Sequence, residues 1–83
     1  MKILYFAWLR ERLNRGEEEV DPPPEVVTVG DLIGWLRRQD EVADAAMQKP
    51  ELVRAAIDAR IVTHETPLDN ARVIALFPPM TGG

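Results

Sequence analysis

The sequence predicts an α+β domain in which the helices gather on one face of a single sheet. Apolar runs of strand length lie near both ends of the chain, over residues 2–8 and 72–77. Between them, residues 29–36 carry apolar side chains at the spacing of one helical stripe. This arrangement is typical of an α+β fold, and 83 residues is the size of one domain with one modest core.

The first predicted strand, residues 2–8, has apolar side chains on both faces. Its two alternating sets are Ile3, Tyr5, Ala7 and Leu4, Phe6, Trp8. A strand with two apolar faces is covered on both sides. We therefore expect the protein's own helix over one face and a partner over the other. A helical turn over residues 9–15 is expected to follow, ended by Gly16.

Residues 17–28 lead from this strand to the helical middle of the chain. The acidic run at 17–19 predicts an exposed edge strand, and the three prolines at 22–24 predict an extended loop because they lack amide donors. Thr28 lies where a helix N-cap is expected, with Asp31 three residues later. This pair predicts a capping box.

Two helices are predicted in the middle of the chain. The first buries a stripe made of Val29, Leu32, Ile33 and Leu36. Asp40 is expected to cap the second helix, which Pro50 stops. Its apolar residues are Val42, Ala45, Ala46 and Met47.

The last third of the chain returns to strand patterns. Residues 52–57 and 60–63 predict a hairpin, a loop follows at 64–70, and the last strand covers 72–77. In that strand Ile74 and Leu76 form the better core pair. Phe77 falls on the opposite face and is expected at an interface, since exposed apolar residues of this kind mark partner surfaces.

Composition excludes several classes of function. The chain has no cysteine, which removes disulfides, thiolate catalysis and cysteine metal sites. A net charge of −4 argues against nucleic-acid binding, and no apolar run reaches the roughly 20 residues of a membrane span. We expect a cytoplasmic protein that binds neither nucleic acid nor membrane.

No catalytic constellation is apparent in the sequence. His64 is the only histidine and is expected to be a surface residue, while Trp8 and Trp35 are expected to be core or interface anchors. Nucleophile–base pairs, metal-ligand sets and phosphate-binding loops are absent. The protein is therefore expected to bring no catalysis of its own.

The C-terminal residues have a chemical use of their own. Pro78 and Pro79 favour an extended backbone, and Gly82 and Gly83 have no Cβ, so such an end can enter a narrow tunnel. Its unhindered carboxylate can attack the α-phosphorus of ATP, and a sulfur nucleophile can then convert the acyl-adenylate into a thiocarboxylate. A terminal glycine pair also arises by chance in frayed chain ends.

The chain resembles the molybdopterin synthase small-subunit family of ubiquitin-like sulfur carriers over nearly its whole length. The resemblance rests on residues 5–11, 28–32, 55–58, 67–70 and 73–83, ending in Phe-Pro-Pro-x-Thr-Gly-Gly. It implies a β-grasp domain over residues 1–77 and a flexible diglycine tail over 78–83.

The resemblance also implies a mechanism and partners. An adenylating enzyme of the ubiquitin-activating type, using ATP, would charge Gly83, and a sulfur donor would form the thiocarboxylate. The tail, with Gly82, would then enter the large synthase subunit and pass sulfur to a cyclic pyranopterin. The residues implied to contact partners are Phe6, Ile61, Phe77, Pro78, Pro79, Met80 and Thr81. The protein itself would be a non-catalytic subunit of the sulfurtransferase complex, with no bound cofactor.

Two other functions fit the same tail. The sulfur could go to thiamine or to another thiolated metabolite. Alternatively, the chain could be a ubiquitin-like modifier joined to lysines, or a pure interaction domain.

Overall fold

Five strands form one mixed sheet in the computed structural model, which describes residues 1–79. The strands are β1 (Lys2–Tyr5), β2 (Glu17–Glu19), β3 (Arg54–Ile57), β4 (Arg60–Val62) and β5 (Val73–Phe77). Their order across the sheet is β2-β1-β5-β3-β4. The pair β1 and β5 is parallel and the other pairs are antiparallel. The strand that leads into the tail is thus the central one.

Helices cover one face of this sheet, which confirms the predicted α+β class. They are α1 (Ala7–Leu13), α2 (Val29–Arg37) and α3 (Glu41–Ala46), followed by a 3-10 turn (Pro50–Leu52). The predicted stripe of α2 is fully buried, and it packs in one core with the inward side chains of the strands, Ile3, Tyr5, Ala55, Ile74 and Leu76. Apolar burial of this kind is the main stabilising term of the domain.

Both predicted helix caps are present. The Thr28 hydroxyl accepts a hydrogen bond from the Asp31 amide at 3.1 Å, and the Asp31 carboxylate accepts one from the Thr28 amide. The amides of Thr28 and Val27 lower the pKa of Asp31, because they stabilise its charged form. Asp40 caps α3 through the Ala43 amide at 2.6 Å. The amide donors at both helix starts are therefore satisfied as the sequence predicted.

The first strand and its following helix differ from the prediction. The strand ends at Tyr5, not at residue 8, and α1 begins at Ala7, so that Trp8 lies on a helix. Ala7 has a φ of 55°, a left-handed conformation that turns the chain sharply out of the sheet. Asn14, also left-handed, ends the helix instead of Gly16, with its amide donating to carbonyls of α1.

The apolar residues predicted for the second helix are only partly buried. Ala43 and Ala46 of α3 are buried, as is Met47 directly after the helix, whereas Val42 is 52% exposed. The helix also ends at Ala46, ahead of Pro50. A helix of six residues is too short for its apolar spacing to show which side faces the core, because alanine side chains can be buried or exposed.

The hairpin of β3 and β4 confirms the predicted turn. Asp58 and Ala59 both have positive φ, at 46° and 73°, and they join the strands directly. Strand β3 starts at Arg54, two residues later than predicted, because Leu52 belongs to the 3-10 turn. The division into a domain at 1–77 and a tail at 78–83 stays a prediction, since residues 80–83 lie outside those that the structure describes.

We expect Asp40→Ala to lower the free energy of unfolding by about 1 kcal/mol at neutral pH, because it removes an N-cap acceptor. The pKa of Asp40 is lowered mainly by the Ala43 amide and then by Arg15. Its charge therefore adds stability above the unfolded pKa of about 4, and this is lost as the pH falls through the lower folded value. Urea unfolding of the variant at several pH values measures both effects.

Asp40→Asn is the matched control for this prediction. Asparagine keeps the capping oxygen but not the charge. It should cost less than the alanine variant near pH 7, and its difference from the parent should shrink in acid. Equal losses for the two variants would show that the charge on Asp40, and not its cap, carries the effect.

Candidate functional site

The face of the sheet opposite the helices is the candidate site, and we call it the outer face. Side chains alternate along each strand, so the residues between the buried ones point to this face. Register places Leu4, Ala75, Ala56 and Ile61 in one row across four strands. All four are apolar, and within residues 1–79 the helices lie on the opposite face of the sheet. Val73 and Phe77 extend the apolar surface along β5.

Phe6 continues this apolar surface one residue beyond β1. Its backbone is extended, and its amide donates to the Leu76 carbonyl at 3.1 Å, as in a continued parallel ladder. Phe6 therefore takes the outer-face position next to Phe77. Its side chain is 46% exposed, and that of Ile61 on β4 is 73% exposed. The structure thus brings Phe6, Ile61 and Phe77, far apart in sequence, to one face.

The left-handed turn at Ala7 fixes where Phe6 lies. A non-glycine residue with positive φ costs of the order of 1 kcal/mol or more, and it persists only when its surroundings demand it. Here the turn sends the chain to the helix side directly after Phe6. Phe6 consequently stays on the outer face, while Leu9 and Leu13 enter the core.

The chain leaves the sheet beside this surface. Strand β5 ends at Phe77, and Pro78 and Pro79 follow, both half-buried. Because β5 lies between β1 and β3, this exit is in the middle of one end of the sheet. Met80, Thr81, Gly82 and Gly83, which the sequence assigns to the working tail, lie outside the described residues.

Charged residues border the outer face unevenly. Glu17 and Glu19 occupy outer-face positions on the edge strand β2, where Lys2 lies 3.5 Å from the Glu17 carboxylate. Arg54 stands opposite Phe77 in the register of β3 and β5, and it is exposed. The apolar surface therefore has an acidic border along β2 and a basic residue at the tail exit.

A polar cluster on the helix side holds the β2 edge in place. The Tyr5 hydroxyl donates to Glu18 at 2.6 Å, and Arg15 bridges the Glu18 and Asp40 carboxylates at 3.3 and 3.1 Å. The shorter contact has hydrogen-bond geometry and the longer one does not, so only Asp40 is a firm partner of Arg15. Burial raises the pKa of Tyr5, as does its hydrogen bond to Glu18. Tyr5 thus stays a protonated donor, which is a structural role.

His64, Trp8 and Trp35 also have structural contacts. Nε2 of His64 lies 2.6 Å from the Val53 carbonyl oxygen and donates to it. The guanidinium of Arg12 lies 4.8 Å from the centre of the Trp8 ring, and both tryptophans pack against the core. In residues 1–79, no three His, Cys, Asp or Glu side chains gather as a metal site would require, and no helix is long and apolar enough to cross a membrane.

Solved structures of known proteins share this fold. SAMP1 from Haloferax volcanii superposes with a TM-score of 0.72 over 99% of this chain and 97% of its own, at 22% identity. The putative molybdopterin converting factor subunit 1 from Pyrococcus furiosus gives 0.64 over 95% of each chain, at 27% identity. The protein is therefore a ubiquitin-like β-grasp domain, as predicted.

Sequence comparison narrows the class to one family. The chain belongs to the ThiS family, whose sequence pattern matches residues 3–83. It is also 31% identical to the molybdopterin synthase sulfur carrier subunit of Escherichia coli, over all of this chain and 99% of that one. These matches confirm the predicted membership of the ubiquitin-like sulfur-carrier family.

Two residues of the site were missed from the sequence. Ala7 was placed inside a strand, because an alanine in the sequence does not indicate a positive φ. Arg54 was passed over as one residue of a strand. The alternation of Arg54 and Ala56 with the buried Ala55 was a usable signal for its outward position.

Proposed function

We propose that this protein carries sulfur for the synthesis of the molybdopterin dithiolene, with Gly83 as the sulfur-bearing residue. The observation that carries the proposal is the 31% identity, over the whole chain, with the sulfur carrier subunit of a molybdopterin synthase. The diglycine ending adds the chemistry, because glycine has no side chain that would hinder attack at its carboxyl group. We place the protein in the cytoplasm, beside the enzymes that would charge it.

The proposed reaction charges the Gly83 carboxyl group in two steps. A carboxylate oxygen attacks the α-phosphorus of ATP and displaces pyrophosphate, which leaves an acyl-adenylate. A sulfide-level sulfur donor then displaces AMP and leaves a thiocarboxylate. The thiocarboxylate sulfur finally displaces an oxygen substituent of a cyclic pyranopterin. Hydrolysis of the resulting thioester leaves the sulfur on the pterin and regenerates the Gly83 carboxylate. A dithiolene contains two sulfur atoms, so each product consumes two charged tails.

The partner proposed for the last step is the large subunit of molybdopterin synthase. Two features of the structure support a docked delivery: the uncovered apolar outer face, and the tail exit next to Phe77. The six residues from 78 to 83 span at most about 20 Å when extended. A partner seated on the outer face at Phe6, Ile61 and Phe77 would therefore have the reactive end within a channel of that depth. Residues 78–81 would then occupy the entrance of that channel.

Intact-mass measurement tests the sulfur chemistry directly. Protein incubated with its adenylating enzyme, ATP and a sulfur donor should gain the mass difference of one oxygen-to-sulfur exchange, located at Gly83 by fragmentation. Omitting ATP should prevent the gain. An unmodified carboxylate in the complete reaction would refute the carrier function.

The destination of the sulfur is tested separately. Stable copurification with a pterin-converting large subunit is expected for molybdopterin synthesis and not for a thiamine-type pathway. Lysine adducts that require Gly83 would instead identify a protein modifier. Full function after deletion of Gly83 would identify a pure interaction domain.

A further inference from the structure

Arg54 differs from the other basic residue of the outer face. Lys2 lies near the Glu17 carboxylate on the neighbouring strand. Arg54 is exposed, and among residues 1–79 no carboxylate lies within salt-bridge distance of it. Glu51 and Glu65 border the same shallow depression as Arg54 without pairing with it. In a protein of net charge −4, this guanidinium is thus available to a carboxylate from outside.

The backbone fixes the direction of this side chain. Arg54 is the first residue of β3 and pairs with Phe77, the last residue of β5. The following residue, Ala55, is fully buried on the helix side, so Arg54 must project from the outer face. The Arg54 side chain therefore leaves the backbone at the edge of the apolar surface, beside Phe77, where the tail begins.

The length of the tail excludes a direct role for Arg54 in the chemistry. The Gly83 carboxyl group follows Phe77 by six residues, or about 20 Å of extended chain. When the tail is inserted, the reacting carbon is far beyond the reach of an arginine side chain at the level of Phe77. Whatever Arg54 contacts then belongs to the entrance of the channel.

We propose that Arg54 is a specificity-determining docking residue, which pairs with a carboxylate of the synthase large subunit at the entrance of the tail channel. The proposal rests on the proposed delivery of the tail to that subunit. Glu17 and Glu19 border the same face along β2, so Arg54 and that border have opposite charge. An apolar surface alone can be covered in several orientations. A partner that places an acid at Arg54 and avoids acids along β2 fits in one orientation, which aligns the tail with the channel.

A pair of matched charge reversals tests this role. Arg54→Glu and Arg60→Glu change the net charge equally, and both residues are exposed on the same hairpin. Arg60 is far from the tail exit, because it pairs with Ile57 at the turn. The measurement is the association rate constant with the large subunit, using the unmodified carboxylate form of the carrier. Circular dichroism shows that each variant is folded.

We expect Arg54→Glu to slow association about tenfold at roughly 50 mM salt, and Arg60→Glu to slow it less than about twofold. The difference should largely disappear near 500 mM salt, where exposed charges are screened. Arg54→Lys should recover most of the rate, since it keeps the charge. Equal slowing by both reversals, an unchanged rate for Arg54→Glu, or a defect that persists in high salt would each overturn the role of Arg54.

Failure of this proposal can be separated from failure of the proposed function. Binding is measured without sulfur on the tail, so an absent thiocarboxylate would refute the carrier chemistry without affecting the comparison of variants. Normal thiocarboxylate formation together with an unchanged Arg54→Glu rate would refute only the docking role. If the parent protein does not bind the large subunit at all, both the destination and the docking role are wrong.

Discussion

Deletion of Gly83 is expected to abolish thiocarboxylate formation and sulfur transfer, and to leave the melting temperature nearly unchanged. The buried apolar residues of the described chain all lie between Ile3 and Leu76, so the core does not use the terminal glycines. The reaction, by contrast, needs a carboxyl group at the full reach of the tail, and the carboxyl group of the variant, now on Gly82, falls short by about 3.5 Å. Intact-mass measurement after the charging reaction and a thermal melt of the same sample check the two halves of this expectation.

Gly82 offers a graded version of the same test. Gly82→Val adds a branched side chain that a narrow channel would exclude, whereas Gly82→Ala adds a single methyl group. We expect transfer to fall much further for valine than for alanine, with both proteins equally stable. A large drop in melting temperature for either variant would show that the tail is structural.

Phe77→Glu is expected to weaken binding to the large subunit by roughly 30-fold or more while the domain stays folded. A buried aromatic anchor at the centre of an interface is typically worth about 2 kcal/mol or more. Phe77 lies on the outer face beside Phe6, so in the free protein its loss leaves the core intact. Calorimetric titration with the large subunit measures the change.

Leu76→Glu is the control on the adjacent residue of the same strand. Leu76 is fully buried on the helix side, and a carboxylate there would be desolvated without a partner, so this variant should unfold. Phe77→Leu, which keeps an apolar side chain, should retain most of the affinity. If Phe77→Glu unfolds like Leu76→Glu, then Phe77 belongs to the core.

The sequence predicted best where a pattern has one physical cause. The alternation in β5 separates Ile74 and Leu76 from Phe77, because a strand has only two faces. The capping box at Thr28 and Asp31 is similarly local. Both were confirmed, and together with the resemblance they were enough to predict the fold.

The sequence predicted least where backbone geometry or long-range register decides. The run at residues 2–8 is apolar on both faces, which does not distinguish a long strand from a short strand followed by a helix. The left-handed conformation of Ala7 ends the strand and starts the helix, and the residue type does not predict that conformation. Arg54 gains its position only through pairing with Phe77, a residue 23 positions later in the chain.

The central position of β5 also has a mechanical consequence. A tail held in a channel pulls on the domain along the axis of the strand that carries it. Because β5 is hydrogen-bonded on both sides, to β1 and to β3, that load acts as shear across two ladders at once. An edge strand could instead peel away from its single neighbour, one hydrogen bond at a time. A domain built in this way can be pulled by its C-terminal end without unravelling from that end.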